Sequence, residues 1–372
     1  MNGGSFINFD ANATYGVLPE VAEEVLSNHS RYLNPSSIHR GGQVARAAIE
    51  DAREEIRTLI GADRRDRIVF TSGATESSNS AISSALSGAT RENNLVCSNV
   101  EHPAVLETCK SFDKVECRIC EPEKLREKVD ENTRLVTLML ANNETGKVYK
   151  VSELFTYVKS NFPWIPTHSD CVQALGKVEI NFKELFADTI SISGHKIGAF
   201  SGVGALIIKD GAQFKPLIHG GPQEVRFRAG TENTLGIISF GIAARIARQK
   251  FESRIVRYKA MKLWFSDKLE SELTRKQIPY QINFKDEDSL PNTLHVRFPG
   301  RKADDLLIAL DLEGVLVSAG SACASGKPES SHVLLAHGFS EDEAKECLRI
   351  SFNAETRFEE LASGLEALVR CL

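Results

Sequence analysis

Apolar and polar positions along the chain follow two periods, and they change over at regular intervals. Ile68-Val69-Phe70, Leu95-Val96-Cys97 and residues 135–140 are short runs apolar on consecutive positions, as strands buried on both faces should be, and the stretch around 165–169, led by the apolar Trp164-Ile165-Pro166, reads as a strand ending in a loop. Between them apolar residues recur at helical spacing. Residues 19–26 predict an amphipathic helix, and Val44, Ala47, Ala48 and Ala52 predict another that continues through Ile56 to Leu59 and stops at Gly61. Strands at 68–70, 95–98, 135–140 and 165–169 alternating with helices predict an α/β chain. Its sheet should be mainly parallel and doubly wound, with functional groups at the strands' carboxyl ends. Further on, a helix is expected from about Leu235 past Leu263, then an alternating strand at 292–298, a helix at 303–310, a strand at 347–353 and a last helix to Leu372. The expected division is a large domain over 14–253, with a smaller α+β domain formed by 1–13 and 254–372.

Composition narrows the class without naming it. The chain has 372 residues, 42% hydrophobic and 26% charged, and a formal net charge of −5, which speaks against nucleic acid or an anionic membrane as partner. Residues 1–10 have neither a basic nor an apolar leader segment, and no run of about 18 apolar residues occurs. A cytosolic protein is expected. The eight cysteines then read as reduced thiols. Cys117-Arg118-Ile119-Cys120 is a lone CxxC without a second pair or nearby histidines, so it reads as a chance pair in an alternating strand and no metal site is expected.

The candidate chemistry centres on Ser191-Ile192-Ser193-Gly194-His195-Lys196-Ile197-Gly198. β-prone residues precede Lys196 and the glycines Gly198, Gly202 and Gly204 follow it, which puts the lysine on a turn between two strands. It is either a surface lysine of a hairpin or a buried amine whose lowered pKa suits it to attack a carbonyl carbon. Asp170 lies 26 residues upstream at the end of a strand. An acid there would keep the ring nitrogen of pyridoxal phosphate protonated, and such a pair is the arrangement of enzymes with the aspartate-aminotransferase fold.

Other stretches fit around that pair. Thr71-Ser72-Gly73-Ala74-Thr75-Glu76 follows a strand and precedes a helix, the geometry of a phosphate cradle, although a plain capping turn uses the same residues. With Lys196 it assigns Ala74 and Thr75 to the cofactor phosphate. His102, before Pro103, is either a capping residue or an aromatic ring stacked on a pyridine. Asn142 and Asn143 end an apolar run abruptly, and adjacent amides there suit a phenolate oxygen or a carboxylate. Cys323 stands in Ala319-Gly320-Ser321-Ala322-Cys323-Ala324-Ser325-Gly326, where no apolar wall surrounds it. That is atypical for a free cysteine, and an exposed mobile loop is expected.

Taken together, these stretches resemble the cysteine desulfurases that supply sulfur for iron–sulfur clusters, within the class V group of pyridoxal-phosphate enzymes. The resemblance spans nearly the whole chain and rests on eight blocks. These are Asn34-Pro35-Ser36-Ser37, Thr71 to Glu76, Glu101-His102, Asn142-Asn143-Glu144-Thr145-Gly146, Ser193-Gly194-His195-Lys196, Arg228-Ala229-Gly230-Thr231, Gly320-Ser321-Ala322-Cys323 and Leu348-Arg349-Ile350-Ser351. It implies fold type I with a seven-stranded sheet. It makes Lys196 the Schiff-base lysine and proton shuttle, Asp170 the pyridinium partner and His102 the stacking, proton-moving ring. Gln173 and Asn143 would face the phenolate oxygen and substrate. Thr75, Ser193 and His195 would bind phosphate together with Thr231 of a neighbouring subunit, which implies a homodimer. Asn34 and Arg349 would contact the substrate, Arg349 as a carboxylate clamp. Cys323 would accept the sulfur as a persulfide.

The implied reaction takes L-cysteine to L-alanine, with an iron–sulfur scaffold or other sulfur-acceptor protein downstream. An aminotransferase or selenocysteine lyase of the same fold is the alternative, and a non-catalytic scaffold that binds the cofactor is a further one. Two departures stand out. Asn353 follows Phe352 where the family commonly has glycine, and Cys171-Val172 follow Asp170 where small residues or Thr are more usual. Asn tolerates a left-handed conformation, so the fold should survive the first.

Overall fold

The apolar runs pair into one sheet, and the direction of each strand decides which loops meet. The computed structural model describes residues 6–285, 288–319 and 330–372. In chain order its strands are β1 (Ile7–Asn8), β2 (Arg67–Thr71), β3 (Asn94–Ser98), β4 (Glu116–Cys120), β5 (Thr133–Thr137) and β6 (Thr167–Asp170). Then follow β7 (Thr189–Ser193), β8 (Gly204–Ile208), β9 (Gln281–Asn283), β10 (Thr293–Arg297), β11 (Val315–Leu316) and β12 (Cys347–Ser351). Two compact units divide them. The larger comprises Gly16–Ala141 and Tyr149–Lys250, the smaller Met1–Tyr15, Asn142–Val148 and Phe251–Leu372.

The larger unit holds a seven-stranded sheet in the order β2-β8-β7-β6-β5-β3-β4. β8 runs antiparallel to β2 and β7, while β3 through β7 pair in parallel. Every strand except β8 therefore ends at the same edge, where Thr71, Ser98, Asp170 and Ser193 hand over to their loops. β3, β6 and β8 are buried at every position; β8 is apolar or small throughout, whereas β6 buries the polar Thr167, His168, Ser169 and Asp170. The helix Ala74–Ala85 packs across β6, β7 and β8. Its inward serines suit that close approach: Ser78 donates to the Ser191 hydroxyl at 3.0 Å. The helices Arg40–Leu59 and Thr234–Gln249 pack against each other, so closely at Gly241 that an added Cβ would lie 2.4 Å from the Ala52 Cα.

The smaller unit has an antiparallel sheet, β12-β10-β9, and a parallel pair of β1 with β11. Its core includes Phe9, Phe265 and Phe352, whose ring centroids lie 5.3 to 5.5 Å apart. Residues 142–148 belong here, although the sequence places them inside the span of the large domain.

Several boundaries differ from expectation for local reasons. The helix after β2 begins at Ala74, directly after Gly73, inside the stretch Thr71 to Glu76 that was expected to precede it. The helix read from Val44 begins at Arg40, because the His39 ring accepts from Gly42 N and caps it. The long helix expected from Leu235 is two, Thr234–Gln249 and Phe251–Arg275, interrupted at Lys250. Among the described residues, no helix is long and apolar enough to cross a membrane.

Candidate active site

Three strand ends of the larger unit converge on Asp170. This buried carboxylate closes β6, and its Oδ1 accepts from Val172 N at 2.9 Å. Burial raises its pKa, and the charges of His102 and Lys196 pull it back, so the acid, the ring and the amine sit within electrostatic reach of one another. Lys196 ends the single turn Gly194–Lys196 that follows β7, and Ser193 before it is buried. Lys196 itself is only half-buried. The deeply buried lysine of this region is Lys177, 2% exposed, which the sequence reading did not single out.

His102 caps the helix Pro103–Lys110, with Nδ1 accepting from Ala104 N at 3.1 Å. That bond settles the neutral tautomer, because a ring whose Nδ1 accepts carries its proton on Nε2. The ring is exposed, so capping and stacking are compatible roles. Its neighbour Glu101 is fully buried and takes hydrogen bonds from the Ser98 hydroxyl and Met139 N.

At the β2 end, the Ala74–Ala85 helix starts from Gly73 without a side-chain cap. Nothing lies within 4 Å of a Cβ placed at Gly73, so space opens in front of the first N–H groups, those of Ala74 and Thr75. Thr75 is exposed there. Glu76 is tied to Ser72 N at 2.8 Å and to the Arg228 guanidinium at 2.9 Å. Arg228 precedes Thr231, an exposed residue on the same loop. His195 has its pKa depressed to about 4 by burial, then by the charges of Lys196 and Lys177. Gln173 is buried and accepts from Lys177 Nζ at 2.8 Å.

In the smaller unit Arg349 is buried on β12. It donates to the Asp10 carboxylate at 2.5 Å and to the Asn143 carbonyl at 2.8 Å, and among the described residues its Nε has no partner. The two adjacent amides separate here. Asn142 Oδ1 accepts from Glu144 N, Thr145 N and the Thr145 hydroxyl and so folds its own turn, while Asn143 is half-buried. Asn353 needs no left-handed backbone. Its φ is not positive, and its Oδ1 accepts from Glu355 N and the Thr356 hydroxyl.

Asn34 is exposed, with its side chain accepting from Ser36 N in an Asx turn. Cys323 lies outside the described residues. The seven cysteines within them are free thiols, and burial raises the pKa of Cys117 and of Cys347 to about 12 and that of Cys171 further. A thiol so held is a poor nucleophile. Among the described residues no cluster of three His, Cys, Asp or Glu side chains suits a metal ion.

A fold with its acid, lysine and open helix start at one sheet edge defines a pyridoxal-phosphate-dependent enzyme of fold type I. The chain belongs to the class-V aminotransferase family, whose model it matches over residues 7–363. It is 39% identical over 346 residues to a cysteine desulfurase of Trichormus azollae, covering 90% of this chain and 84% of that one. To the cysteine desulfurase IscS of Dictyoglomus turgidum it is 38% identical over 353 residues, covering 92% and 88%. The solved NifS-like protein from Rickettsia africae ESF-5 superposes with a TM-score of 0.86 at 31% identity, covering 98% of this chain and 99% of that one.

Proposed function

We propose that the chain is a pyridoxal-phosphate-dependent cysteine desulfurase, which converts L-cysteine to L-alanine and takes the sulfur onto Cys323 as a persulfide. The observation that carries the cofactor's part is the mutual placement of Asp170, His102 and Lys196 at three strand ends. The donor set fits the group: an uncapped helix start with open space for a phosphate, a buried acid for a ring nitrogen, and a lysine on the adjoining turn. Bound there, the cofactor supplies an electron sink for the substrate's α-carbon.

Each residue then has a defined task. Lys196 would be the attachment amine and would also carry the substrate's α-proton. Asp170 keeps the ring nitrogen protonated, and His102 presents its ring and Nε2–H. Ala74 and Thr75 at the helix start hold the phosphate with Ser193 and His195, joined by Thr231 from a second copy. Gln173 and Asn143 face the phenolate oxygen and the substrate. Arg349 takes the substrate carboxylate through Nε and its remaining N–H groups, with Asn34 as a second contact. The Cys323 thiolate attacks the substrate sulfur. An S–S bond forms, the Cβ–S bond breaks with its electron pair passing to carbon, and protonation of that carbon completes alanine.

The relatives' names favour this reading over an aminotransferase, which has no use for Cys323. Likeness to the IscS and NifS proteins supports delivery to an iron–sulfur scaffold or a comparable acceptor, and the reading takes the chain to act as a homodimer in the cytoplasm. The test is product analysis with L-cysteine as sole substrate. Alanine formed without any oxo-acid acceptor supports desulfuration. A requirement for an oxo acid, with transfer of the amino group, overturns it in favour of the aminotransferase.

A further inference from the structure

Lys177 is the most deeply buried lysine beside this site, 2% exposed, and an ammonium is costly to remove from water. The chain leaves β6 at Asp170 and turns back at once, with Leu175 N bonded to Cys171 O and Lys177 N to Ala174 O. Gly176 has φ +71, and a Cβ there would lie 3.0 Å from the Ile197 side chain. The turn is therefore pressed against the residue that follows Lys196. From it Lys177 reaches back four residues, and its Nζ donates to Gln173 Oε1 at 2.8 Å. Its charge is also felt across the turn by His195.

We propose that Lys177 is a positioning residue of this site: it fixes the orientation of the Gln173 amide and places a positive charge beside His195. An ammonium has three donors and no acceptor, so it accepts only one of the two amide orientations, oxygen toward Lys177 and N–H2 away. A phenolate oxygen is an acceptor and needs a donor opposite it. An amide able to flip would meet it with oxygen in part of the population, and Lys177 removes that state. The charge acts separately. The charged groups acting on His195 are Lys196 on its own turn and Lys177 on the turn after β6, and both disfavour a further proton there.

The inference rests on the reading of Lys196 as the cofactor-bearing amine and Gln173 as a contact of its phenolate oxygen. The experiment uses the full-length holoenzyme and three chains: wild type, Lys177→Met and Lys177→Arg. One readout is the NMR titration of the His195 ring, and the other is the pH midpoint of the cofactor's visible absorption band. Loss of a positive charge eases protonation, so Lys177→Met should move both upward by about one unit. Lys177→Arg keeps the charge and should leave both within about 0.3 unit of wild type. If Lys177→Met does not fold, Lys177→Gln, also uncharged, is read the same way.

A purely structural lysine would lower stability or cofactor occupancy in both variants without moving either titration, and that result overturns the inference. Borohydride reduction and peptide mapping of the wild type run alongside. A label away from Lys196 overturns the reading of the site. A label on Lys196 with unmoved titrations in Lys177→Met overturns the role of Lys177 alone.

Discussion

The Glu101 carboxyl lies in the field of Asp170, and burial first and that charge second raise its pKa to about 8. Two acids at neighbouring strand ends thus divide between protonation states. Near neutral pH Glu101 keeps its proton, while the Asp170 carboxyl, raised by burial, is pulled back down by the charges of His102 and Lys196. Oε1 of Glu101 accepts from the Ser98 hydroxyl at 2.9 Å and from Met139 N at 2.7 Å.

That division predicts a pH-dependent mutant effect. A raised folded-state pKa means that Glu101 supports folding fully below about pH 4.5, and that this support is lost as pH rises through about 8. Glu101→Gln keeps an acceptor for both donors but does not titrate. Its stability relative to wild type should therefore climb between pH 5 and 8, at up to about 1.4 kcal/mol per pH unit. Denaturant unfolding at several pH values measures it, and a constant offset would contradict the buried protonated acid.

Gly204 and Gly73 should respond differently to the same substitution. A Cβ at Gly204 would meet the Gly73 backbone at 2.7 Å and the Ile192 carbonyl at 2.8 Å, whereas one at Gly73 meets nothing within 4 Å. Gly204→Ala should cost about 1–3 kcal/mol by forcing β8 away from the start of the phosphate helix. Gly73→Ala should cost under about 1 kcal/mol in the cofactor-free protein. Thermal or denaturant unfolding compares the two, and equal losses would contradict the geometry.

Arg349 offers a test of substrate recognition. Lysine retains the charge but not the fork that spans Asp10 and Asn143 while keeping Nε available. Arg349→Lys should lower kcat/KM for cysteine roughly tenfold to a hundredfold, mainly through KM, with the visible spectrum retained. An unchanged KM would remove Arg349 from the carboxylate.

Much of the fold was legible because its signals are local. The runs around Val69, Val96 and Leu138 are continuous and apolar since their strands are covered on both faces, and much of the long sheet follows from them. Short strands such as β1, β9 and β11, of two or three residues, carry no period and were not foreseen. Lys196 and Asp170 could be picked out because a charged residue among small and apolar ones is conspicuous. Lys177 was not, because its neighbours Gly176 and Val178 look like any loop, and only the fold brings that turn against Ile197, twenty-one residues on from Gly176. The different duties of Asn142 and Asn143 were likewise hidden, since only the folded turn reveals which amide is used internally. The Lys250 break left no Gly or Pro to mark it.

If sulfur leaves cysteine for Cys323, mass spectrometry of that residue will find it there. The holoenzyme is incubated with L-cysteine, quenched by alkylation and digested, while alanine is measured in the same sample; Cys323→Ser is treated in parallel. Serine keeps the shape but lacks the soft nucleophile. The account predicts one additional sulfur on the Cys323 peptide of the wild type, formed together with alanine, and almost no alanine from Cys323→Ser despite normal cofactor content. Wild-type rates of alanine release from Cys323→Ser, or a persulfide on another cysteine with Cys323 unmodified, would contradict it.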